Sequence, residues 1–383
     1  MSFKLSFVIN SLSGGGAERV FATVVGALSE TYPSVDCSVV LLDALPEEQA
    51  LPEGLCKTVL GTEGGMLSSI SRLHAHFRKE RPDLVVSFLA RANCASIIAS
   101  RSLGFPCVIR ECTHTTTHYG NSISGRLNRS IIRALYPRAD KVIAVSEGVR
   151  MQLARDYAVP ESKLATLYNP VDIAALQRLA DEPVTEPLPD RFFVAVGRLV
   201  PGKNIPMLLE AYAEARPAEA LVLVGDGSER PRLERLAADL GLGQSVRFLG
   251  FLRNPYPVMA RARALLSASN YEGFPNALIE ALALSVPVVS TDCASGPSEI
   301  LDEAADQGRI GRMTPAAWGI LTPVEDTTAM VEAIRQIQVP AVRDRYAQRG
   351  SIRAERFARA RIMREYEALL TPYLQPASIT GPT

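Results

Sequence analysis

The sequence predicts an α/β protein built from two doubly wound, parallel-sheet domains that face each other across a cleft. The chain has 383 residues, which is more than one hydrophobic core usually serves. Short apolar runs alternate with helical patterns, and the alternation restarts after a proline-rich stretch at 181–190. Strands that are apolar throughout suit a parallel sheet covered by helices on both faces.

In the first half, apolar runs predict strands separated by segments of helical spacing. The strands are Leu5–Ile9, Ser38–Leu42, Leu84–Phe88, Cys107–Arg110 and Lys141–Val145. The helices are Ala17–Leu28, Leu67–Arg78, Ala92–Ser100 and Ile123–Leu135.

The second half repeats the plan. Its predicted strands are Phe192–Val196, Ala220–Val224, Ser245–Leu249, Ala264–Ser267 and Pro287–Ser290. Its predicted helices are Met207–Ala215, Arg232–Asp239, Pro275–Leu284 and Thr327–Ile337.

Domain boundaries follow from these patterns. A first domain at 1–180 and a second domain at 191–350 are predicted on either side of a linker at 181–190. That stretch carries three prolines, which suit neither a helix nor a central strand. Residues 351–383 are predicted to hold one arginine-rich helix, Ser351–Leu370, that crosses back to the first domain, followed by a tail.

Composition narrows the class of protein. Lys plus Arg and Asp plus Glu both number 41, so no basic excess marks a nucleic-acid partner. The six cysteines and four histidines lack zinc-type spacing. No apolar run reaches the length of a bilayer-spanning helix, which predicts a cytoplasmic protein that at most lies on the inner face of the membrane.

A glycine cluster, Gly14–Gly16, follows the first predicted strand and opens the first helix. Free backbone N–H groups and the helix dipole favour an anion at such a position. The segment lacks the spacing of G-x-G-x-x-G and the Gly-Lys-Ser/Thr of a Walker loop. A tight turn without a ligand would have the same pattern, so both interpretations remain open.

Two cations follow the first strand of the second half. Arg198 and Lys203 lie just past Phe192–Val196, where the carboxyl end of a parallel strand meets the ligand crevice. Fixed Arg and Lys donors stabilise the negative charge that builds on a departing diphosphate. Their position at a strand end favours this role over that of solvated surface cations.

The most informative segment contains Glu272 and Glu280, with Pro275 between them at the first turn of a predicted helix. Glu272 therefore lies in the preceding loop, and the free N–H groups around Asn276–Leu278 would point at a phosphate. Glu280 lies among apolar residues and needs a partner such as a sugar hydroxyl. Eight helical residues span ~12 Å, whereas glycosidase carboxyls lie ~5–9.5 Å apart, which favours two separate contacts along one ligand.

With these motifs in this order, the chain resembles the family-four retaining glycosyltransferases of the GT-B fold, which have two Rossmann-like domains and carry two glutamates separated by seven residues. Gly15–Arg19 resembles the family's N-terminal glycine loop, and Gly197 with Arg198 and Lys203 resembles its diphosphate-binding pair. Ser290–Leu301 resembles the form found in transferases that build bacterial surface glycans.

The resemblance implies that 1–180 is the acceptor-binding domain and 191–350 the nucleotide-sugar-binding domain. It also implies roles for named residues. Those assigned to catalysis are Arg198, Lys203, Glu272 and His114. Those assigned to the donor are Gly16, Gly197, Gly225, Asp226, Arg247, Phe248, Phe274, Asn276, Ala277, Leu278 and Glu280. Gly15 and Glu111 are assigned to the acceptor loop; whether His114 or Glu111 takes part in catalysis stays open.

The implied activity is retaining transfer of a hexose or N-acetylhexosamine to a glycan or a polyprenyl-linked acceptor. A UDP-sugar is the expected co-substrate and GDP is not excluded. No cofactor and no metal are expected, because no two aspartates are two residues apart and Arg198 and Lys203 supply the positive charge. A nucleotide-sugar epimerase of related architecture and a non-catalytic nucleotide-sugar-binding component of a biosynthetic complex are the alternatives.

The helix predicted at Ile123–Leu135 carries Arg126, Arg129 and Arg133 beside an apolar stripe. Such a helix suits an anionic membrane surface. A helix packed on its sheet with a solvated basic face has the same pattern, so both interpretations are kept.

Overall fold

A computed structural model describes residues 2–120, 122–184, 186–303 and 310–374. The chain divides into two compact units: Met1–Pro170 with Ala360–Thr383, and Val171–Arg359. Each unit contains one seven-stranded sheet flanked by helices. The predicted class, two doubly wound parallel-sheet α/β domains, is confirmed.

The first unit has a fully parallel sheet in the order β3-β2-β1-β4-β5-β6-β7. Its strands are β1 (Lys4–Ile9), β2 (Asp36–Leu41), β3 (Cys56–Val59), β4 (Leu84–Phe88), β5 (Cys107–Glu111), β6 (Lys141–Ala144) and β7 (Leu164–Thr166). Its helices are α1 (Gly16–Thr31), α2 (Met66–Glu80), α3 (Ala90–Leu103), α4 (Thr115–Tyr119), α5 (Ile123–Leu135) and α6 (Glu147–Tyr157).

The second unit has the sheet order β10-β9-β8-β11-β12-β14-β13. Among its described strands, the β13–β14 pair is antiparallel and the other pairs are parallel. Its strands are β8 (Phe192–Val196), β9 (Ala220–Val224), β10 (Val246–Gly250), β11 (Leu265–Ser267), β12 (Val288–Thr291), β13 (Thr314–Pro315) and β14 (Ile320–Thr322). Its helices are α7 (Ile173–Ala180), α8 (Ile205–Ala215), α9 (Arg230–Asp239), α10 (Tyr256–Arg261), α11 (Asn276–Ala283), α12 (Pro297–Leu301), α13 (Thr327–Ile337) and α14 (Pro340–Ala354). The last helix, α15 (Arg359–Leu374), carries the chain back into the first unit.

The central strands are apolar because helices cover both of their faces. All five residues of β4 are buried. Phe21 of α1 packs edge-on against Phe7 and Phe88, with ring centroids 6.4 and 5.1 Å away. Tyr366 and Leu370 of α15 are fully buried in the same core.

A buried arginine fastens α15 to the first sheet. Arg110 is fully buried, lies over the rings of Phe88 and Tyr366, and donates hydrogen bonds to the Tyr366 hydroxyl and to Asn169 Oδ1. Because a buried charge is costly unless it is hydrogen-bonded, this set of contacts fixes where the helix docks.

The strand order identifies the edge of each sheet at which a ligand is expected to bind. In each sheet the order reverses beside the first strand, between β1 and β4 and between β8 and β11. Ligands of doubly wound sheets bind outside the carboxyl ends of strands at such a switch point. The Gly14–Gly16 loop follows β1, Arg198 and Lys203 follow β8, and Glu272 follows β11.

The prediction of one helix over Ser351–Leu370 is wrong. Helix α14 ends at Ala354, a single 3₁₀ turn covers Glu355–Phe357, and α15 begins at Arg359. Phe357 is fully buried, and the backbone on either side of Ala358 pairs with Val171 in an isolated bridge. The backbone groups of Phe357 and Arg359 therefore bond to Val171 and not to helical neighbours, so a continuous helix cannot run through Ala358.

Several elements lack a pattern that sequence inspection detects. Strand β3 is mostly exposed at the sheet edge, and β7, β13 and β14 have three residues or fewer. Helix α6 starts at a Ser146 cap that accepts from the Val149 N–H at 3.2 Å. None of the helices within the described residues combines the length and apolar character that a bilayer crossing requires.

Candidate active site

Three turns with glycines stack at the carboxyl ends of β8, β9 and β10. The Gly197 N–H donates to Val224 O at 3.0 Å, and the Gly225 N–H donates to Gly250 O at 2.7 Å. Gly225 has φ +132°, and a Cβ there would collide with the Gly197 carbonyl oxygen. Only glycine combines this backbone conformation with so close an approach, so no side chain can be accommodated at position 225.

Lys203 and Glu272 come together at the switch point. Lys203 ends a 3₁₀ turn after β8, and its aliphatic chain lies against Gly197. Its Nζ pairs with Glu272 Oε1, which also accepts from Ser269 Oγ at 2.7 Å. The Lys203 side chain is 29% exposed and the Glu272 side chain is 15% exposed, so a ligand can reach both groups.

Arg198 lies two residues past the end of β8. Its side chain is exposed, and the structure gives it no side-chain partner among the residues it describes. The neighbouring Leu199 is buried, and its N–H donates to Asp226 O at 2.9 Å. The backbone under Arg198 is therefore fixed while the guanidinium is available to an anion.

The Glu272 segment is held from three directions. The ring of Tyr271 lies over Gly202, whose carbonyl accepts from the Asn270 N–H at 2.9 Å. Ser295 Oγ donates to Glu272 O at 2.6 Å. Gly296, at φ +98°, presses so closely on Pro275 that a side chain would not fit. The loop after β12 thus fixes the turn that carries Glu272.

Helix α11 begins at Asn276, with Pro275 at its N-cap, and no side chain caps it. Asn276 and Ala277 are half-buried, while Leu278 is buried. Glu280 lies within the helix and keeps 5% of its exposure. Phe274 packs edge-on against Phe357, with centroids 5.4 Å apart, so its ring serves the fold.

Two residues assigned to the nucleotide bind protein groups. Asp226 accepts from the Gly227 N–H at 2.7 Å and from Arg230 at 3.0 Å. These two contacts hold the pKa of Asp226 below its ordinary value. Arg247 donates to Pro187 O at 3.1 Å, and Phe248 packs against the second core.

The glycine loop of the first unit is exposed at Gly15 and Gly16, at the start of α1. Carboxylates flank it, with Glu48 beside Gly14 and Glu18 beside Gly15. Anion binding at this loop stays a prediction, because these two carboxylates oppose the attraction of the helix start.

Glu111 is enclosed by the protein. It keeps 1% of its exposure; Oε1 accepts from the N–H groups of Cys112 and Thr113, and Oε2 accepts from the Tyr136 hydroxyl at 2.5 Å. Burial raises the pKa of Glu111, and the hydrogen bonds from Tyr136 and Thr113 counteract part of that rise. Through these contacts Glu111 stabilises the loop that follows β5.

His114 lies three residues further on, at the N-cap of α4. Its Nδ1 lies 2.8 Å from Thr117 Oγ1 and 3.1 Å from Gln152 Nε2. Partial burial lowers the pKa of His114 to about 4, although the nearby Asp156 acts in the opposite direction. The ring is therefore neutral at physiological pH.

Helix α5 presents an amphipathic outer surface. Ile123 and Leu127, one turn apart, are 89% and 62% exposed. A pocket of about 510 Å³ is lined by four residues of the same helix, Arg126, Arg129, Ser130 and Arg133, and by Thr116, Asp156 and Tyr157. Basic and apolar groups thus meet on one face.

Within the described ranges, no three His, Cys, Asp or Glu side chains are grouped so as to hold a metal ion.

In each unit, sequence reasoning missed the residues that support the candidate side chains. Ser269 and Ser295 hold Glu272, and Gln152 holds His114. Ser269 and Ser295 follow strands β11 and β12, and that location is the only signal the sequence offered.

Ligands of doubly wound sheets bind at such a switch point, and two cations there suit an anionic ligand such as a diphosphate. The family model described as Glycosyltransferase Family 4 matches residues 14–175, and that described as Glycosyl transferases group 1 matches residues 177–347. A Campylobacter jejuni N-acetylgalactosamine-N,N'-diacetylbacillosaminyl-diphospho-undecaprenol 4-alpha-N-acetylgalactosaminyltransferase is 31% identical, over 94% of this chain and 98% of its own. The chain therefore belongs to the family-four glycosyltransferases.

Other relatives agree with this assignment. A lipopolysaccharide 1,6-galactosyltransferase of Salmonella typhimurium is 25% identical over 78% of this chain and 82% of its own. The crystal structure of Anabaena HepE in complex with UDP aligns with a TM-score of 0.76 at 20% identity, covering 97% of this chain and all of that one. The chain has the GT-B fold.

Proposed function

We propose that this glycosyltransferase transfers a hexose or N-acetylhexosamine from a UDP-sugar to a lipid-linked glycan acceptor, with retention of the anomeric configuration. The observation that carries the proposal is the Lys203–Glu272 pair at the switch point of the second sheet, with the exposed Arg198 also following β8. Relatives named for lipopolysaccharide and undecaprenol-linked acceptors support the acceptor class.

The proposed reaction takes place on one face of the sugar. The bond from C1 to the β-phosphate oxygen breaks, the acceptor hydroxyl oxygen bonds to the same face of C1, and the acceptor proton passes to the departing phosphate. Arg198 and Lys203 stabilise the charge on that phosphate. Glu272 positions the transferred sugar, and Glu280 anchors the donor from inside α11.

We place no metal in this reaction. A guanidinium and an ammonium, both beside β8, supply the positive charge that a divalent ion supplies elsewhere. Full activity in excess EDTA is the expected result, and a strict Mg²⁺ or Mn²⁺ requirement would contradict it.

The transfer itself is tested with a panel of UDP- and GDP-sugars and a polyprenyl-diphosphate-linked acceptor. Mass spectrometry of the product should show one added sugar from a UDP donor. Epimerised donor formed without acceptor would favour an epimerase instead. Donor binding with no product from any acceptor would favour a non-catalytic binding component.

Helix α5 is proposed as the contact with the inner face of an anionic membrane. Its exposed Ile123 and Leu127 suit the apolar boundary, and three arginines suit anionic headgroups. Each arginine contributes about 1 kcal/mol near such a surface, so replacing all three by glutamine should weaken vesicle binding about 100-fold.

Sedimentation with phosphatidylserine vesicles measures this effect. The matched control replaces the exposed Arg216, Arg232 and Arg235 of the second unit by glutamine, which removes the same charge. Equal losses in both triple variants, or binding that does not depend on anionic lipid, would remove α5 from the proposal.

A further inference from the structure

The two ring nitrogens of His114 differ in their surroundings. Gln152 Nε2 and Thr117 Oγ1 both lie within hydrogen-bond distance of Nδ1, at 3.1 and 2.8 Å. Nε2 of the ring has no acceptor among the residues that the structure describes. The function of the ring depends on which of its nitrogens carries the proton.

Gln152 settles this question through its own orientation. It lies on α6, keeps 2% of its exposure, and its Oε1 accepts from the Thr115 N–H at 2.9 Å. A backbone N–H can only donate, so the amide oxygen must face Thr115. The NH₂ group then faces His114 Nδ1 and can only donate to it.

We propose that Gln152 is a positioning residue that keeps the His114 proton on Nε2, so that His114 presents a neutral N–H donor to an oxygen of the acceptor. Nδ1 must then be the acceptor nitrogen, because a proton there would oppose the NH₂ group of Gln152. The ligand role of the Nε2–H rests on the proposed glycosyl transfer.

The surroundings of His114 favour a neutral imidazole ring. The charged residues that influence the pKa of His114 are Asp156 and Arg155, and these two form an ion pair with each other. Partial burial, the largest influence, lowers the pKa of the ring. The single proton of the Thr117 hydroxyl is within reach of two acceptors, the His114 carbonyl oxygen at 3.0 Å and Nδ1 at 2.8 Å. With the ring proton on Nε2, this hydroxyl donates to Nδ1, as Gln152 does.

A donor on Nε2 excludes His114 as the base of the reaction. In the proposed transfer the acceptor proton goes to the departing phosphate, so no side-chain base is required. The Nε2–H can then hold a hydroxyl or phosphate oxygen in place throughout the reaction without gaining or losing a proton.

Nitrogen-15 NMR of histidine-labelled protein tests the tautomer directly. The chain has four histidines, so a His114→Gln variant identifies the signals of this ring. At pH 7 we expect a protonated Nε2 and an unprotonated Nδ1. A protonated Nδ1, or a doubly protonated ring, would overturn the proposal.

Gln152→Glu should reverse the arrangement. One carboxylate oxygen still accepts from Thr115, while the other now attracts a proton onto Nδ1. We expect a protonated Nδ1 and a fall in kcat/KM of about tenfold, with UDP binding unchanged. Gln348→Glu, at an exposed position of α14, adds the same charge away from the ring and should change neither signal nor rate.

Gln152→Met provides a second variant that adds no charge. Without the amide, both tautomers should appear in the spectrum; a wild-type tautomer in this variant would show that Gln152 does not position the ring. A wild-type protein that shows the expected tautomer but transfers no sugar from any UDP donor would refute the proposed function while the positioning role stands.

Discussion

Replacing Lys203 by alanine should reduce turnover far more than stability. The Lys203–Glu272 pair keeps 29% and 15% of its side-chain exposure, so solvent screens it. Its loss should lower the free energy of unfolding by about 1 kcal/mol or less. If the ammonium stabilises the departing diphosphate, its loss should lower kcat by about 10²–10³, which corresponds to ~2.7–4 kcal/mol in the barrier.

The assay measures release of UDP at saturating acceptor, together with urea unfolding of the same sample. Lys57→Ala is the matched control, because Lys57 pairs with Glu47 at 2.7 Å on the first unit, at 38% and 35% exposure. Lys57→Ala should leave kcat unchanged. Wild-type turnover in Lys203→Ala would refute the assignment.

Glu272→Ala distinguishes two roles for Lys203. If the lysine acts only by holding the carboxylate, adding Lys203→Ala to Glu272→Ala should cause no further loss of kcat. A further large loss in the double variant is expected, because the ammonium also acts on the diphosphate.

Three further outcomes are expected. Glu280→Ala should weaken UDP-sugar binding about tenfold in calorimetry with a smaller effect on kcat, and unchanged affinity would contradict its role as donor anchor. Gly225→Ala should lower the free energy of unfolding by at least about 2 kcal/mol, because its Cβ would meet Gly197 O at φ +132°. Gly243→Ala, which has open space around it, is the control for that measurement. The pKa of His114 falls from 6.5 to about 4 on folding, so the unfolded chain binds the proton more readily and stability is lost as pH falls through that range. Wild type should therefore lose about 2 kcal/mol relative to His114→Gln between pH 7.5 and 4.5 in urea titrations, and parallel pH curves would contradict this.

The sequence predicts those parts of the fold that depend on local pattern. Buried strands such as Leu84–Phe88 are apolar throughout, and their carboxyl ends locate the cations and glutamates at one sheet edge. The mostly exposed edge strand Cys56–Val59 has no such pattern. The helix break at Ala358 depends on a bridge to Val171, a partner almost two hundred residues away along the chain.

Site details were harder to predict for a related reason. Lys203 and Glu272 were expected to act on different parts of the ligand, and only the folded chain brings Nζ to the carboxylate. Glu111 sits beside His114 in sequence, yet β5 directs it into the interior while the loop leaves His114 partly exposed. Which way a side chain faces at a strand end depends on packing that no local pattern records.

The anomeric configuration of the product tests the central claim most directly. The enzyme would be incubated with an α-linked UDP-sugar and a polyprenyl-diphosphate-linked acceptor, and the new linkage read by proton NMR. The account predicts an α-linked product, formed about 10²–10³ times more slowly when Lys203 is replaced by alanine. A β-linked product, or epimerised donor without transfer, would contradict it.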